Sequence, residues 1–514
     1  MMNEQRIPEI PAEKFRFIQQ SEKIHDERIK TKPIGYFKDA WLRFVRNKSA
    51  VVAFVLIVIL VLFAIIVPFI SHYDVSFRSG YYKTMQPRNK WLVGTGFWDG
   101  GKQENLNADS YEMIRAIGVE TGRDVIMSEK RVYTDSTGTE YHDVRVDSYY
   151  RVGYAYINLT PDEYTRLKDY QNTKNIQVIY PMSRTYNTDY LQGNGGANYW
   201  YKLKNEASTS TGAPELDAEG NLIPNYLTAA DKNRAGYDSL RVTWDNGGAD
   251  GNEWLVYAQK NQSGYRVRVD YYEYFRYLYG QEPSFLFGTN GYGQDMLTCL
   301  AAGARLSFLL AICVSLFNFI IGGIYGAVEG YYGGAVDMVM ERISDVLYDV
   351  PFMVVATLFQ LHLANQVGVL PSLLFAYVLT GWVGIAARVR MQFYRFKGHE
   401  YVLAARTLGA SDKRLIFKHI YPNSLGTIIT GSVLAIPGVI FSESMLSYLH
   451  IINLETSSLT SIGTLLAGGQ GYLSTYPHII FFPALFISIL EISFNLFGNG
   501  LRDAFNPSLR GAED

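Results

Sequence analysis

Cysteine is scarce in this chain, since only Cys299 and Cys313 occur among 514 residues. Both lie in or beside apolar sequence, so buried thiols are favoured over a redox pair, and a disulfide-rich secreted fold is excluded. An excess of positive charge is also missing, because 47 Lys and Arg are offset by 49 Asp and Glu, which leaves a formal charge of −2. That balance excludes a generally basic nucleic-acid-binding protein.

Charge is missing altogether from residues 51–70. A helix of about 20 residues, at roughly 1.5 Å per residue, crosses the hydrocarbon core of a bilayer, so this run predicts a transmembrane helix. Roughly 50 residues precede it, which is too many for a cleavable signal peptide. Six Lys and Arg between residues 30 and 48 predict that the N-terminus lies in the cytoplasm.

Five more segments have few charges and nearly the length of a membrane span. They are residues 306–328, 343–363, 367–387, 424–446 and 479–497. If six spans alternate, residues 388–418, with eight Lys and Arg, face the cytoplasm, and residues 447–478, with none, face the outside. The predicted fold of this part is an all-α polytopic membrane domain with six transmembrane helices and both termini in the cytoplasm.

Three carboxylates lie at membrane depth or beside it. Asp345 and Asp349 stand at the start of the third predicted span, just before Pro351, and Glu443 stands near the outer end of the fifth. Ionisable groups in lipid are costly unless they face a bundle interior, a partner or water, so the three are candidate pore or subunit-contact residues. An interfacial packing role is the alternative.

A long polar insert separates the first and second spans. On this topology residues 71–284 form an extracytoplasmic domain, for which we predict a strand-rich α+β fold. Residues 143–156 and 266–277 mix β-branched and aromatic side chains in partial alternation, and both predict strands. The order Thr-Pro-Asp-Glu from residue 160 predicts a short capped helix that ends near residue 170.

Three features of the insert invite a chemical interpretation. Residues 96–102 have the glycine and lysine spacing of a nucleotide-binding loop, but Gln103 replaces the Ser or Thr that holds magnesium, so an ordinary turn is favoured. The acidic residues within 217–221 and 245–253 favour solvated turns over a calcium site. The many tyrosines either pack the core of the insert or line a surface for a peptide or sugar. We predict no catalytic, cofactor-binding or metal site.

A cytoplasmic segment of another character lies at residues 396–423. Two adjacent alanines and a leucine favour a helix, Gly409 favours a bend after it, and Ser411 or Asp412 caps a second helix. The small alanines permit close approach by another protein. These residues alone indicate either a protein-docking elbow or a positively charged interfacial loop.

This segment resembles the EAA loop, named for its Glu-Ala-Ala motif, of permease subunits in ATP-binding-cassette importers. The match rests on Ala404, Ala405, Gly409 and Pro422. Leu403 stands where the family usually has its Glu, and Glu400 lies one helical turn earlier. In that family the loop is the coupling helix seated in a groove of the ATPase subunit. The resemblance assigns ATPase coupling to Glu400, Ala404, Ala405, Arg406, Gly409, Asp412 and Pro422.

The likeness extends to the C-type permease subunit of dipeptide and oligopeptide importers. It is carried by the region through the first span and by residues 287–307, 330–351, 443–447 and 494–510. It implies the type I importer permease fold for the membrane part and does not cover the insert. The chain then divides into a cytoplasmic segment 1–49, a first span 50–70, an inserted domain 71–284 and a permease core 285–514.

The resemblance also implies a function. The chain would be one of two permease subunits of a peptide importer in the bacterial cytoplasmic membrane, driven by two ATPase subunits that bind ATP and magnesium. An extracytoplasmic substrate-binding protein delivers the peptide, and we expect the insert to dock it or another envelope partner. We expect contact with membrane lipid, but no enzyme activity, cofactor or nucleic acid. The alternatives are a permease for nickel or another small solute, a membrane-anchored sensor, and an ectoenzyme that uses the insert.

Overall fold

The computed structural model describes residues 36–184, 194–204, 212–229, 254–454 and 460–505. It has two parts, a bundle of long apolar helices and a strand-containing insert between the first two long helices. Among the described residues, five helices are long and apolar enough to cross a membrane, or six spans if one bent helix pair counts as a single span. The five are Lys48–Ile70, Met296–Tyr332, Val369–Phe396, Asp412–Tyr448 and His478–Phe505.

A short amphipathic helix, α1 (Tyr36–Arg46), precedes the first long helix, α2 (Lys48–Ile70). Asn47 caps α2, because its side chain accepts a hydrogen bond from a first-turn N–H at 3.2 Å. One face of α1 exposes four large apolar side chains, Phe37, Trp41, Leu42 and Val45. On the other face Phe44 is buried against Phe497. A helix with these two faces is suited to lie in the plane of a membrane surface.

The described part of the insert combines helices with antiparallel strands. In chain order its elements are β1 (Gly101–Asn107), α3 (Ala108–Thr121), β2 (Ile126–Thr134), β3 (Glu140–Asp147), β4 (Tyr154–Leu159), α4 (Pro161–Lys174), β5 (Ile179–Tyr180), β6 (Thr228–Ala229), β7 (Trp254–Leu255), β8 (Ala258–Lys260), β9 (Tyr265–Asp270) and α5 (Tyr271–Tyr279). One sheet has the order β1-β3-β2 and a second has the order β4-β9-β5, with β8 also paired to β9. Strands β6 and β7 pair with each other.

Two predictions for the insert need correction. Residues 143–156 do not form one strand, because β3 ends within this stretch and a short turn precedes β4. Residues 271–277 are helical, since Asp270 ends β9 and its side chain caps the first turn of α5 at 3.1 Å. The helix predicted from residue 160 is present as α4, with both hydrogen bonds of a capping box, and it continues to Lys174.

The rest of the bundle follows the insert along the chain. Its helices are α6 (Met296–Tyr332), α7 (Gly334–Tyr348), α8 (Phe352–His362), α9 (Ala364–Val367), α10 (Val369–Gly381), α11 (Val383–Phe396), α12 (Glu400–Thr407), α13 (Asp412–Arg414), α14 (Tyr421–Val433), α15 (Ala435–Tyr448), α16 (Ile462–Gly469) and α17 (His478–Phe505). A π-helical turn, Leu415–Ile420, joins α13 to α14.

The third predicted span, residues 343–363, is not one helix. Helices α7 and α8 meet at an angle of 72° on either side of a break at Pro351. Proline lacks an N–H group and disfavours the helical conformation of the residue before it, which explains the break. With 11 residues, α8 alone rises about 16 Å, roughly half of a hydrocarbon core.

Small residues allow α6, a helix of 37 residues, to approach its neighbour closely. On α6, Gly322 and Gly326 lie against the backbone at Trp382, which precedes α11, and at Ala386 of α11, where a β-carbon would overlap with backbone atoms. Contacts between helices in lipid depend on this kind of close packing, because the hydrophobic effect does not drive helices together there. The two glycines therefore allow α6 and α11 to pack closely.

The insert is packed onto the end of the bundle at which α2 ends and α6 begins. The hydroxyl oxygens of Ser71 and Thr298 are 2.6 Å apart, so the chain leaves the bundle and returns to it at neighbouring points. Trp98 of the insert stacks on Phe482 of α17, with ring centroids 5.8 Å apart. Helix α6 then runs to the opposite end of the bundle, where the segment after α11 lies.

Candidate functional site

Residues 396–423 form a helical elbow at the end of the bundle opposite the insert. Helix α12 ends at Thr407, Gly409 has a φ angle of +84°, and α13 begins at Asp412. The Gly409 N–H donates a hydrogen bond to the Arg406 carbonyl at 3.0 Å. A residue with a β-carbon would occupy this backbone conformation at a cost of about 1–2 kcal/mol, so glycine is the residue that suits the bend.

The inner face of the elbow is apolar and buried. Its buried side chains are Val402, Leu415, Ile416 and Ile420, which share one cluster with Tyr331 of α6 and Phe393 of α11. Burial of each aliphatic side chain contributes about 1.5–3 kcal/mol relative to exposure. The elbow is therefore fixed against α6 and α11 by this cluster.

The outer face of the elbow carries exposed apolar and small side chains. Leu408 is 88% exposed, and Leu403 and Ala404 on the same helical segment are exposed as well. Exposed apolar side chains grouped in this way occur at contacts with another protein or with a membrane surface. Of the other residues predicted for coupling, Ala405 is half-buried, whereas Glu400, Arg406, Gly409, Asp412 and Pro422 are exposed.

A tyrosine from α6 fastens the elbow to the bundle. The Tyr331 hydroxyl donates a hydrogen bond to Asp412 Oδ1 at 2.6 Å, and the Arg406 guanidinium lies 5.8 Å from the centre of the Tyr331 ring. Ser411 stands at the N-cap of α13 but makes no side-chain capping hydrogen bond. Sequence reasoning missed Tyr331 because it precedes Asp412 by 81 residues and belongs to another helix.

A second polar cluster at this end joins α7 to α11. Arg390 donates to both carboxylate oxygens of Asp337, at 2.6 and 2.8 Å, and to Glu341 at 2.7 Å. The Tyr394 hydroxyl also donates to Asp337, at 2.7 Å. Such two-point guanidinium–carboxylate contacts are among the strongest hydrogen bonds in proteins. Local sequence shows Arg390 only as one of several positive charges; the four-residue spacing of Asp337 and Glu341 is the signal for a paired partner.

The three carboxylates predicted as pore or subunit contacts do not come together. Asp345 is exposed and pairs with Arg342 at 3.0 Å, and Asp349 is exposed at the end of α7. Glu443 is 1% exposed and accepts a hydrogen bond from Ser307 at 2.9 Å. Glu443 therefore ties α15 to α6, which suits the packing alternative.

Two parts of the chain match known protein families. The N-terminal transmembrane domain of oligopeptide transport permease C matches residues 35–88, and the binding-protein-dependent transport system inner membrane component matches residues 319–511. The oligopeptide transport system permease protein OppC of Bacillus subtilis is 40% identical over 224 residues, which are 44% of this chain and 72% of that protein. The chain belongs to this permease family.

Other relatives extend the comparison. The dipeptide transport system permease protein DppC of Bacillus subtilis is 40% identical over 225 residues, which are 44% of this permease and 69% of that protein. Among solved structures, the inward-facing MetNI methionine transporter aligns with a TM-score of 0.35 and 16% identity, over 41% of this permease and 98% of that chain. Family membership makes the permease a multi-pass membrane subunit of an ATP-binding-cassette importer that works with ATPase partners.

The glycine-rich stretch 96–102 of the permease folds as a turn that leads into β1. Asp99 accepts hydrogen bonds from the N–H groups of Gly96 at 3.0 Å and Gly101 at 2.9 Å, and from the Arg145 guanidinium at 2.6 Å. Burial by itself raises the pKa of Asp99, but these donors outweigh it and hold the pKa below its usual value. A strand and not a helix follows, so the lysine spacing does not create a phosphate-binding loop.

The acidic stretch at 217–221 forms a turn of its own. Asp217 accepts hydrogen bonds from the N–H groups of Glu219 at 2.9 Å and Asn221 at 2.7 Å. The second acidic stretch, 245–253, lies outside the described residues. Within the described ranges, no three His, Cys, Asp or Glu side chains are placed to hold a metal ion.

Two ion pairs of the insert, one buried and one partly buried, were not predicted. Arg268 pairs with Glu120 at 2.6 Å, and Arg123 pairs with Asp270 at 2.7 Å. Burial raises the pKa of Asp270, and the Arg123 guanidinium opposes that rise. The largest fully buried side chains of the insert include Tyr82, Tyr149, Tyr154, Tyr201 and Tyr257. These tyrosines pack the core of the insert, which was one of the two interpretations of its tyrosine content.

Proposed function

We propose that this permease moves oligopeptides or dipeptides across the bacterial cytoplasmic membrane, as one of two permease chains of an importer. The observation that carries the proposal is the 40% identity to two permeases of Bacillus subtilis, one named for oligopeptide and the other for dipeptide transport. A permease for nickel or another small solute is the competing substrate class. The relatives do not favour the sensor or the ectoenzyme.

The elbow is the contact through which ATPase subunits drive this transport. Its exposed Leu403, Ala404 and Leu408 offer an apolar ridge to a groove on an ATPase. The ATPases bind ATP and magnesium, and their closure pushes on this ridge. Because Tyr331 and the buried cluster fix the elbow to α6 and α11, the push is transmitted to the long helices and changes access to the translocation path.

The elbow end of the bundle faces the cytoplasm, and the insert faces the outside. The distribution of Lys and Arg supports this orientation, since residues 388–418 carry eight and residues 447–478 carry none. The insert packs on this outer end of the bundle, where Trp98 stacks on Phe482. That position suits the docking of a substrate-binding protein.

Uptake into proteoliposomes that contain the complete complex tests the substrate class. With the substrate-binding protein outside and ATP inside, we expect accumulation of a radiolabelled tripeptide and none of radioactive Ni²⁺. Omission of ATP or of the binding protein should stop peptide uptake. Accumulation of nickel without peptide would overturn the proposed substrate.

The substitution Leu408→Asp tests the elbow contact. This side chain is 88% exposed, so a carboxylate there leaves the fold intact but opposes burial in an apolar groove. We expect the ATPase subunits to be lost on purification while the second permease stays bound. The matched control is Leu473→Asp, which alters a 57% exposed leucine at the opposite end. Retention of the ATPases by Leu408→Asp, or equal loss in both variants, would contradict the assignment.

Deletion of residues 89–282 tests the insert. The Arg88 N–H donates to the Phe285 carbonyl at 2.9 Å, so a short glycine linker can rejoin the chain at this point. We expect the shortened permease to keep its ATPases and to lose affinity for the substrate-binding protein. Unchanged affinity together with unchanged transport would exclude a docking role for the insert.

A further inference from the structure

A cationic cavity lies between three helices at the elbow end of the bundle. Its volume is about 390 Å³. Arg388 and Arg395 of α11 and Arg502 of α17 line it, and residues of α14 such as Thr427 and Gly431 complete its wall. Since α14 leaves the elbow directly, the cavity stands beside the segment assigned to ATPase coupling.

The positive charge of this cavity is not neutralised within the described residues. No carboxylate lines the cavity, and none of its three guanidinium groups forms an ion pair in the described part of the chain. Arg388 is oriented by donating to the carbonyls of Gly384 and Gly431, both at 3.1 Å. By contrast, Arg390 on the same helix is matched by Asp337 and Glu341. Three guanidinium groups without a carboxylate partner among the described residues therefore line one cavity, an arrangement that suits an anionic ligand.

The amphipathic helix α1 shows the depth of the cavity in the membrane. The exposed apolar face of α1 and its basic side chains place this helix at the level of the lipid headgroups. Phe37 of α1 contacts Phe505 of α17, with ring centroids 6.2 Å apart, and Phe505 also lines the cavity. The cavity therefore opens at headgroup level, with the apolar Phe505 and Leu434 beside its arginines.

We propose that this cavity binds the headgroup phosphate of an anionic phospholipid from the surrounding leaflet. Guanidinium groups present paired N–H donors that match phosphate oxygens, and basic pockets between transmembrane helices on the cytoplasmic side are suited to anionic headgroups. The bound phosphate would connect α11 and α17 across α14. Because α14 continues from the elbow, anionic lipid would hold the coupling segment against the last helix of the bundle. This inference depends on the membrane setting of the family and not on the peptide substrate.

Lipid titration of the complete complex, followed by native mass spectrometry, tests the proposal. The complex is purified in mild detergent and titrated with phosphatidylglycerol or with phosphatidylcholine of the same acyl chains. We expect phosphatidylglycerol to bind more tightly and with a dependence on salt. Inorganic phosphate is added as a competitor, because a free phosphate would recognise the same donors.

Substitution of all three arginines by glutamine should weaken phosphatidylglycerol binding about 100-fold, since each basic residue contributes about fivefold near an anionic headgroup. The single variant Arg395→Gln should weaken it about fivefold, and Arg395→Lys less, because lysine keeps the charge but loses the paired donors. The control is Arg342→Gln, whose side chain is 78% exposed at the same end and lies outside the cavity. We expect this control to bind like the wild type.

Several outcomes would overturn the proposal. One is equal binding of the two lipids; another is an equal effect of the triple variant and Arg342→Gln. Complete displacement of phosphatidylglycerol by millimolar phosphate would assign the cavity to a soluble anion instead. Loss of the second permease or the ATPases from the triple variant, with lipid binding unchanged, would assign it to a protein contact. If the triple variant fails to assemble, the single variants Arg395→Gln and Arg395→Lys are compared with the wild type instead. Equal affinity of all three proteins for phosphatidylglycerol refutes the site.

Discussion

Replacement of Gly409 by proline should separate the shape of the elbow from membrane insertion of the permease. Gly409 has a φ angle of +84°, whereas the proline ring fixes φ near −65°, a difference of about 150°. Proline also removes the N–H that donates to the Arg406 carbonyl at 3.0 Å. Because no small adjustment can restore either feature, we expect α12 to leave its position and the Leu408 ridge to be lost.

Gly409→Ala provides the graded comparison. A β-carbon built at Gly409 meets no atom within 4 Å, so crowding contributes nothing to its cost. The remaining cost is that of the left-handed backbone conformation, about 1–2 kcal/mol. If the alternative is an elbow that has lost this bend, the ratio of bent to unbent elbows falls by about 5- to 30-fold. We therefore expect a moderate defect for alanine and a nearly complete one for proline.

The assay is affinity purification of the tagged full-length chain from membranes in mild detergent. Quantitative mass spectrometry gives the ratio of ATPase subunits to permease, and the yield from washed membranes reports insertion. We expect normal insertion of all three proteins and an ATPase ratio that falls from glycine to alanine to proline. The reasoning is refuted if Gly409→Pro keeps the wild-type ratio, or if alanine reduces it as much as proline.

Three further predictions concern other parts of the fold. Arg390→Gln should lower the free energy of unfolding of the purified complex by about 2 kcal/mol. Arg342→Gln removes one partner of an exposed ion pair and should change that free energy little. Equal melting temperatures of the two variants would contradict this prediction. The pKa of Asp99 in the folded protein lies below the unfolded value of about 3.9. Its ionised form therefore stabilises the folded state above about pH 3.9, and this stabilisation is lost as the pH falls through the folded pKa. Asp99→Asn should therefore show a smaller decrease in melting temperature between pH 5 and 3 than the wild type, and a parallel decrease would refute the assignment. Trp98→Ala should weaken the packing of the insert on the bundle by about 2 kcal/mol of interaction free energy. Trypsin should then cleave faster after Lys90, and an unchanged cleavage rate would show that Trp98 does not hold the insert.

The sequence was most informative where one physical effect dominates. Residues 51–70 carry no charge, and in lipid a helix satisfies all their backbone hydrogen bonds. Helix α2 includes all of these residues. At the elbow, the conformational freedom of Gly409 predicted the bend that the structure has. Both predictions depend on neighbouring residues alone, so no knowledge of the rest of the fold was needed.

Predictions failed where distant or competing effects decide. The stretch 266–277 is rich in valine and aromatic residues that favour strands, but Asp270 caps a helix in the middle of it. Side-chain propensity does not show where that cap acts. The third span has enough apolar residues, yet Pro351 interrupts it. Tyr331 and Asp412 meet only because α6 and α13 end at the same side of the bundle, which local sequence cannot reveal.

The closeness of Ser71 and Thr298 has a consequence for the evolution of this permease. A domain whose two ends are adjacent can be acquired in one recombination event without changing the path of any membrane helix. The bundle and the insert can then diverge under separate selection. The same site is a natural position at which to graft a fluorescent reporter or a designed binding module into a permease that has no insert of its own.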